Sequence, residues 1–523
     1  MTWRFNKQQL MYSLLFLLSG SLISLSLAPY NIWPAAIIAI VLLLLGMHKT
    51  HGKRLYWYAG YFGFGQFASG MYWIYISIHE QSNTPAVIAA PMTVAWCAFL
   101  SLFTVLFAAL YTKLRAYRES SNPHQTMQLS DVFLVPAIWV LVDALRGVAL
   151  TGLPWLYIGH AHIDTPLSGW VPIIGVHMNT FIIVLAASAI VYALQKHIRF
   201  ASFPVITLLA LIAGTAVIGQ HLKDTEWTTP ISDKQASLSL IQANIPQEEK
   251  WLPQKRDAIL ERYASLLSER IRHNTEQGNA DQHVYIFPET ALPDYAFKLE
   301  AYLDEQARKL DDTNSSLFTG IVEYDMLSQQ IFNAIFSIGD NPHVYKKQHL
   351  VPFGEYIPFQ WLRKLSDFFN LPMSNFSSGA PNQSPLQHAG FTFAPLVCFE
   401  AVFAKQVRLA ARDTHALLTI SNLTWFGRSS ASAQLMQIAQ FRALENGRYL
   451  IHATNNGMTG IVNHKGKLIE QLPQFTSGTL TTQVPGYTGN TLYNRWGDRP
   501  ILIVCLSLLL LSVLIAWRTR QTD

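Results

Sequence analysis

Apolar residues occur in long, nearly unbroken runs through the first 220 residues and in short ones afterwards. The long runs lie near 10–28, 33–47, 56–77, 85–111, 131–150, 170–194 and 201–219, with a last one near 500–517. Runs of this length predict membrane-spanning helices. The run 33–47 is short, but Trp33 and the basic turn at Lys49 would anchor its ends at the interface. Leu10 to Ala28, after Arg4 and Lys7, also fits the apolar core of a signal peptide. Six further spans follow it, which favours an uncleaved anchor.

The pattern changes at the polar run HLKDTEWTTPISDKQ. Short apolar stretches then recur: ASLSLIQANIP, HVYIF, SLFTGIVEY, NAIFSIG, FAPLVCFE, ALLTIS, YLIHATNN and GTLTTQV. Helical periodicity separates several of them, as from Arg256 to Arg272 and from Ala431 to Asn446. Buried strands alternating with helices, and a hairpin signal at Asn456-Gly457, predict layered sheets covered by helices. The expected organisation is therefore a helical membrane domain over 1–220, an α/β domain over 221–498 and an eighth span with a short tail over 499–523.

Composition supports this division. Of 523 residues, 50% are hydrophobic and only 14% charged, against about 25% in soluble domains. Such apolar content excludes disorder, and three cysteines exclude a disulfide framework. A net charge of +5 argues against a nucleic-acid partner. Its distribution matters more. Arg4, Lys7, Lys49, Lys53, Arg54, Lys113, Arg115, Arg118, Lys196, Arg199, Arg518 and Arg520 all flank spans on one face. The loops of the other face, 29–32, 78–84 and 151–169, contain no Lys or Arg. By the positive-inside rule both termini face the cytoplasm and the interval 221–498 lies outside.

Cys97 and Cys505 fall within predicted spans, where a thiol is an ordinary apolar filler. Cys398 stands alone in the outer domain, at the C-terminal end of FAPLVCFE. Strand ends of this kind build active sites in α/β folds. A thiol nucleophile needs a proton acceptor and a cation to stabilise the developing oxyanion. Glu289, after HVYIF, and Lys347, in VYKKQHLVPFGEYIP, are candidates. Taken singly, each also fits a packed thiol or a solvated charge at a strand end.

The order Glu289, Lys347, Cys398, each just after a strand, resembles the Glu-Lys-Cys triad of the nitrilase superfamily. The motifs QANIPQEEKW, FPETALP, HLVPFGEYIP, CFE, SNLTWFG, RALENGR and TNNGMTG lie within the outer domain. With LRGVALTGLPWL and TLYNRWGD beside the spans, the chain resembles the apolipoprotein N-acyltransferase family over nearly its full length. The resemblance implies a nitrilase-like αββα sandwich joined to an eight-helix membrane scaffold. It implies Glu289 as general base, Lys347 as stabiliser of the tetrahedral intermediates and Cys398 as nucleophile, with no metal or other cofactor. The acyl donor would be a phospholipid, typically phosphatidylethanolamine, cleaved at its sn-1 ester. The acceptor would be the α-amine of a diacylglyceryl-cysteine on an apolipoprotein. The setting would be the bacterial inner membrane, with the catalytic domain on the periplasmic side. One-site chemistry requires only a monomer.

The same resemblance implies supporting roles for Glu355, beside the lysine and the base, and for Glu400. Trp251 and Trp425 resemble aromatic residues near the acyl path. Phe399 stands where the family commonly has Tyr, Arg428 where it has an acidic residue, and Leu435 where it has His. These departures leave the triad untouched. Segment 353–376, rich in aromatic and aliphatic residues, fits either an interfacial arm or a packed loop. Asp143 and Arg146 have the i,i+3 spacing of an ion pair. The competing readings are a membrane-anchored amidase that uses water as acceptor, an inactive paralogue, and a transporter or scaffold. The last would need paired charges in several spans.

Overall fold

The structure is a computed structural model that describes residues 7–50, 52–118, 126–196, 202–278, 281–357 and 375–522. Arg4, Arg199 and most of the segment 353–376 lie outside the described residues. The chain forms two compact units. One contains residues 1–75, 86–225 and 496–523, and the other contains 76–85 and 226–495.

The first unit is helical. Among the described residues, five helices are long and apolar enough to cross a membrane: Lys7–Ser26, Ala86–Tyr117, Val176–Gln195, Phe203–Lys223 and Arg499–Arg518. Pro34–His48 is apolar but shorter. Helices Lys53–Gly70 and Leu129–Arg146 end before the apolar runs that predicted them, at 77 and 150. The run 170–194 is broken at Gly175, whose φ of 81° interrupts the helix. Helix Leu129–Arg146 stops because its last side chain turns back on the chain beyond it. The Arg146 guanidinium donates to Asp143 Oδ1 at 2.9 Å, Leu153 O at 3.0 Å and Trp155 O at 2.5 Å. An arginine inside an apolar unit is tolerable only with its donors satisfied in this way. Helices Lys7–Ser26 and Lys53–Gly70 cross at glycines. A Cβ on Gly20 would lie 1.9 Å from Phe62 O, and one on Gly65 2.0 Å from Leu17 O, the close approach that small residues permit.

The second unit is a four-layer αββα sandwich. Its strands are β1 (Thr229–Gln242), β2 (His283–Ile286), β3 (Leu292–Tyr295), β4 (Ser316–Asp325), β5 (Gln330–Gly339), β6 (His343–Lys346), β7 (Leu386–His388), β8 (Phe391–Val397), β9 (Ala416–Ser421), β10 (Tyr449–Thr454), β11 (Gly460–Val462), β12 (Leu468–Gln471) and β13 (Gly478–Thr488). The first sheet has the order β13-β1-β2-β4-β5-β6, with β3 also paired to β4. The second has the order β12-β11-β10-β9-β8-β7. Strands β1, β2 and β4 are mutually parallel, as are β8, β9 and β10.

Alternation along each strand explains the layers. Leu238, Leu240, Val284, Ile286 and Phe318 face Phe393, Val397, Leu418, Ile420 and Ile451 between the sheets. The opposite faces are covered. Ile241, Tyr285, Phe287 and Leu317 pack on helices Arg256–Glu276 and Glu300–Asp311. Leu396, Leu417 and Leu450 pack on Ala404–Ala410 and Ala431–Asn446.

One close approach shapes the end of β2. A Cβ on Gly320, in β4, would lie 2.4 Å from Thr290 N, 2.5 Å from Pro288 O and 2.6 Å from Glu289 Cα. All three are backbone contacts, so neither a rotamer change nor a small shift relieves them. Gly320→Ala is expected to cost about 1–3 kcal/mol, read as a lower unfolding midpoint of the α/β unit. An unchanged midpoint would refute this close packing.

Candidate active site

Four connections at one end of the two sheets converge. Glu289 follows β2, Lys347 follows β6, Cys398 follows β8 and Asn422 follows β9. Three of these strands belong to the parallel sets, and the C-terminal ends of parallel strands are where loops can assemble a site. Glu289 and Lys347 are buried and Cys398 is half-buried.

Lys347 is the electrostatic centre. Its Nζ lies 2.8 Å from Glu355 Oε1 and 3.4 Å from Glu289 Oε1. Burial alone would strip its proton, but Glu355, Glu289 and Cys398 hold its pKa well above the ordinary lysine range. Asn333, in β5, donates from one amide nitrogen to both carboxylates, at 2.8 Å to Glu289 and 3.0 Å to Glu355. The second oxygen of each carboxylate is held by backbone. Asn422 N–H donates to Glu289 Oε2 at 2.7 Å, and Val351 N–H donates to Glu355 Oε2 at 2.8 Å.

Cys398 begins a 3₁₀ turn, Cys398–Val402, and adopts a φ of 52°. A non-glycine residue in this left-handed region stores of the order of 1–3 kcal/mol, and the turn that holds it there lifts the thiol off the strand. Its pKa is raised by burial first and then by Glu289, with which it shares a hydrogen bond; Lys347 opposes them. The resting group is therefore a thiol beside a carboxylate rather than a thiolate.

Glu400 anchors that turn. Its carboxylate is fully buried and accepts from Val397 N–H at 2.7 Å, Gln348 N–H at 2.7 Å and His349 N–H at 3.1 Å. Tyr345 Oη and Gln406 Nε2 also donate to it, at 3.0 Å and 2.7 Å. Burial raises its pKa against these donors. Glu400 thus ties the turn carrying Cys398 to the residues that follow Lys347, without being placed between them. Phe399 packs edge-to-face on Phe403, with ring centres 5.0 Å apart, and His349 stacks on Phe403 at 3.5 Å. The hydroxyl missing from Phe399 leaves this aromatic stack intact.

The tryptophans occupy separate places. Trp251 packs against Val322, Leu350 and Phe376 beside Tyr356. Trp425 is half-buried in the turn Leu423–Phe426 that follows Asn422. Arg428 is exposed and lies over the Phe475 ring at 4.2 Å, while Leu435 is a buried core residue of helix Ala431–Asn446. Among the described residues no group of three His, Cys, Asp or Glu side chains is placed to hold a metal ion.

Sequence reasoning missed Asn333 and Asn422. Asn333 interrupts the apolar run IFNAIF, and Asn422 directly follows ALLTIS. A polar residue inside or just beyond a buried strand was the signal available for both.

Family-model matches divide the chain in the same manner. Residues 19–189 match the apolipoprotein N-acyltransferase N-terminal domain, and residues 237–493 match carbon-nitrogen hydrolase. The chain is 36% identical to a Vibrio cholerae protein named apolipoprotein N-acyltransferase, over 92% of this chain and 93% of the relative. A relative of the same name from Vibrio vulnificus is 37% identical, with 96% of each chain covered. One from Pseudomonas aeruginosa is 36% identical over 96% of this chain and 95% of its own.

Because burial and Glu289 both disfavour the thiolate, alkylation of Cys398 by iodoacetamide is expected to keep rising with pH beyond the range of a free thiol, about 8.5. Lys347→Met removes the opposing cation and moves the curve further up. A plateau below pH 8 in the unsubstituted protein would refute a resting thiol.

Proposed function

The chain belongs to the apolipoprotein N-acyltransferase family, and from this membership we propose a thioester acyl transfer at Glu289, Lys347 and Cys398. The protein is a membrane-embedded acyltransferase of lipoprotein maturation with a carbon–nitrogen hydrolase domain. Glu289 takes the thiol proton as Cys398 Sγ attacks the sn-1 ester carbonyl of a phospholipid, with phosphatidylethanolamine the proposed donor. Lys347 stabilises the resulting oxyanion. When the carbon–oxygen bond breaks, Glu289 returns the proton to the departing glycerol oxygen and a lysophospholipid leaves. The α-amine of a diacylglyceryl-cysteine then attacks the thioester and gives up a proton to Glu289. The carbon–sulfur bond breaks, an amide forms and the proton returns to Cys398.

The observation that carries this reading is the placement of one ammonium 3.4 Å from Glu289 and 2.8 Å from Glu355, beside a thiol hydrogen-bonded to Glu289. Positive charge and proton acceptor are set before substrate arrives, so little reorganisation is needed at the moment of attack. Glu355 holds Lys347, and Glu400 and Phe399 support the turn of Cys398. Trp251 and Trp425 serve as apolar contacts for acyl chains.

The basic residues on one face of the spans support a cytoplasmic orientation of both termini. The proposed arrangement is eight spans, read from the apolar runs, in the inner membrane with the catalytic unit on the periplasmic side. A monomer contains every residue the scheme uses.

Incubation with a phospholipid labelled in its sn-1 chain is expected to give a hydroxylamine-sensitive adduct on Cys398, detected by mass spectrometry. A diacylglyceryl peptide should discharge it as an N-acyl product. Cys398→Ala abolishes the adduct, and Glu289→Gln slows its formation by about 10²–10⁴-fold. Absence of an adduct on folded protein would sink the covalent scheme. Release of free fatty acid with no acylated peptide would favour the amidase reading. Failure to complement an acyltransferase-depleted strain would favour an inactive paralogue.

A further inference from the structure

One short helical turn outside this scheme contacts the base at one end and a residue that holds the base at the other. Gln247–Lys250 follows β1 and is a single turn long. At its first residue, Gln247 Oε1 accepts from Asn422 Nδ2 at 3.0 Å and Thr424 Oγ1 at 2.8 Å. Asn422 is the residue whose backbone N–H holds Glu289 Oε2 at 2.7 Å. At its last residue, Lys250 Nζ donates to Thr290 Oγ1 at 2.8 Å and to the Glu289 carbonyl oxygen at 3.2 Å.

Both side chains are buried, Lys250 at 2% exposure and Gln247 at 5%. Among the described residues no carboxylate lies within ion-pair distance of Lys250. A buried ammonium without a contacting anion is costly, and its environment shows what it does. Thr290 is held at a φ of 45°, a strained conformation for a β-branched residue. Gly320 leaves that turn no room to relax. The two Lys250 hydrogen bonds pin the carbonyl and the side chain on either side of the strained peptide. Burial pushes Lys250 down to about 7, with Glu289 pulling it back up. The ammonium is therefore present below neutral pH.

We propose that Gln247 and Lys250 are positioning residues for the general base. Gln247 fixes the Asn422 amide that holds one oxygen of Glu289, and Lys250 fixes the turn that carries it and favours its ionised form. The inference rests on Glu289 being the base. The other charged or titratable groups facing Glu289 are Lys347 beyond β6, Cys398 beyond β8 and Glu355, which shares Asn333 and Lys347 with it.

The test is the pH profile of acyl-enzyme formation with labelled phospholipid, using full-length protein in detergent. Lys250→Met keeps the stem and removes the charge. Without that cation the carboxylate is easier to protonate, so the acidic limb should move to higher pH. The maximal acylation rate should fall by about tenfold or more, as misplacement of a catalytic group predicts, while KM for phospholipid stays unchanged. Gln247→Leu, which leaves Lys250 in place, should shift the limb in the same direction by less. If Lys250→Met fails to fold, Gln247→Leu decides the question. A variant that folds and retains the acidic limb of the parent overturns the proposal, whatever its rate. Glu289→Gln is the separate control: full acylation by that variant would remove the base assignment itself, independently of Gln247 and Lys250.

Discussion

The α/β unit is organised around a buried ammonium. Lys347 sits at 1% side-chain exposure with carboxylates at 2.8 Å and 3.4 Å. A cation in that position is sustainable only if anions and hydrogen-bond acceptors are delivered with good geometry. The anions come from separate stretches of chain, one beyond β2 and the other in the loop beyond β6. Asn333 joins the two carboxylates, and backbone N–H groups occupy their outer oxygens. Charge balance thus imposes a geometry on four connections at once, and the same geometry suits proton removal from Cys398.

A second buried charge performs the complementary task. Glu400 accepts from backbone on both sides of the sandwich end, at Val397 and at Gln348 and His349. It therefore couples the strained turn of the thiol to the segment carrying the cation. Glu289, Lys347, Asn333 and Glu400, at the centre of the two systems, are buried. Their hydrogen bonds are made in a low-dielectric interior, where satisfied networks are stiff and unsatisfied ones are expensive. The helical unit obeys the same rule with different residues. Arg146 spends its donors on Asp143 and on the carbonyls of Leu153 and Trp155, which ends one helix and shapes the chain beyond it.

Membership in a lipid-modifying family gives this arrangement its purpose. Burial and the neighbouring Glu289 both disfavour a thiolate at Cys398 in the resting protein. The transferase also carries a carbon–nitrogen hydrolase domain. The apolar helical unit keeps the enzyme where acyl chains are found.

Much of this architecture was legible in the chain itself. Short apolar runs separated by helical periodicity, with a hairpin signal, predicted buried strands in layered sheets covered by helices. The order and spacing of Glu289, Lys347 and Cys398, with the surrounding motifs, was enough to resemble one family. Helix ends were less legible. Arg146 stops its helix by bonding to carbonyls that lie beyond it, and hydropathy does not register such a contact. Asn333 and Asn422 left only a weak signal, a polar residue inside or just beyond an apolar run, and the contacts of Gln247 and Lys250 are made with residues far along the chain. Hydrophobic pattern is local and survives in one dimension, so elements and layers could be read from it. Which polar atom satisfies which buried charge is set by close packing of distant segments, and only the tertiary structure decides that.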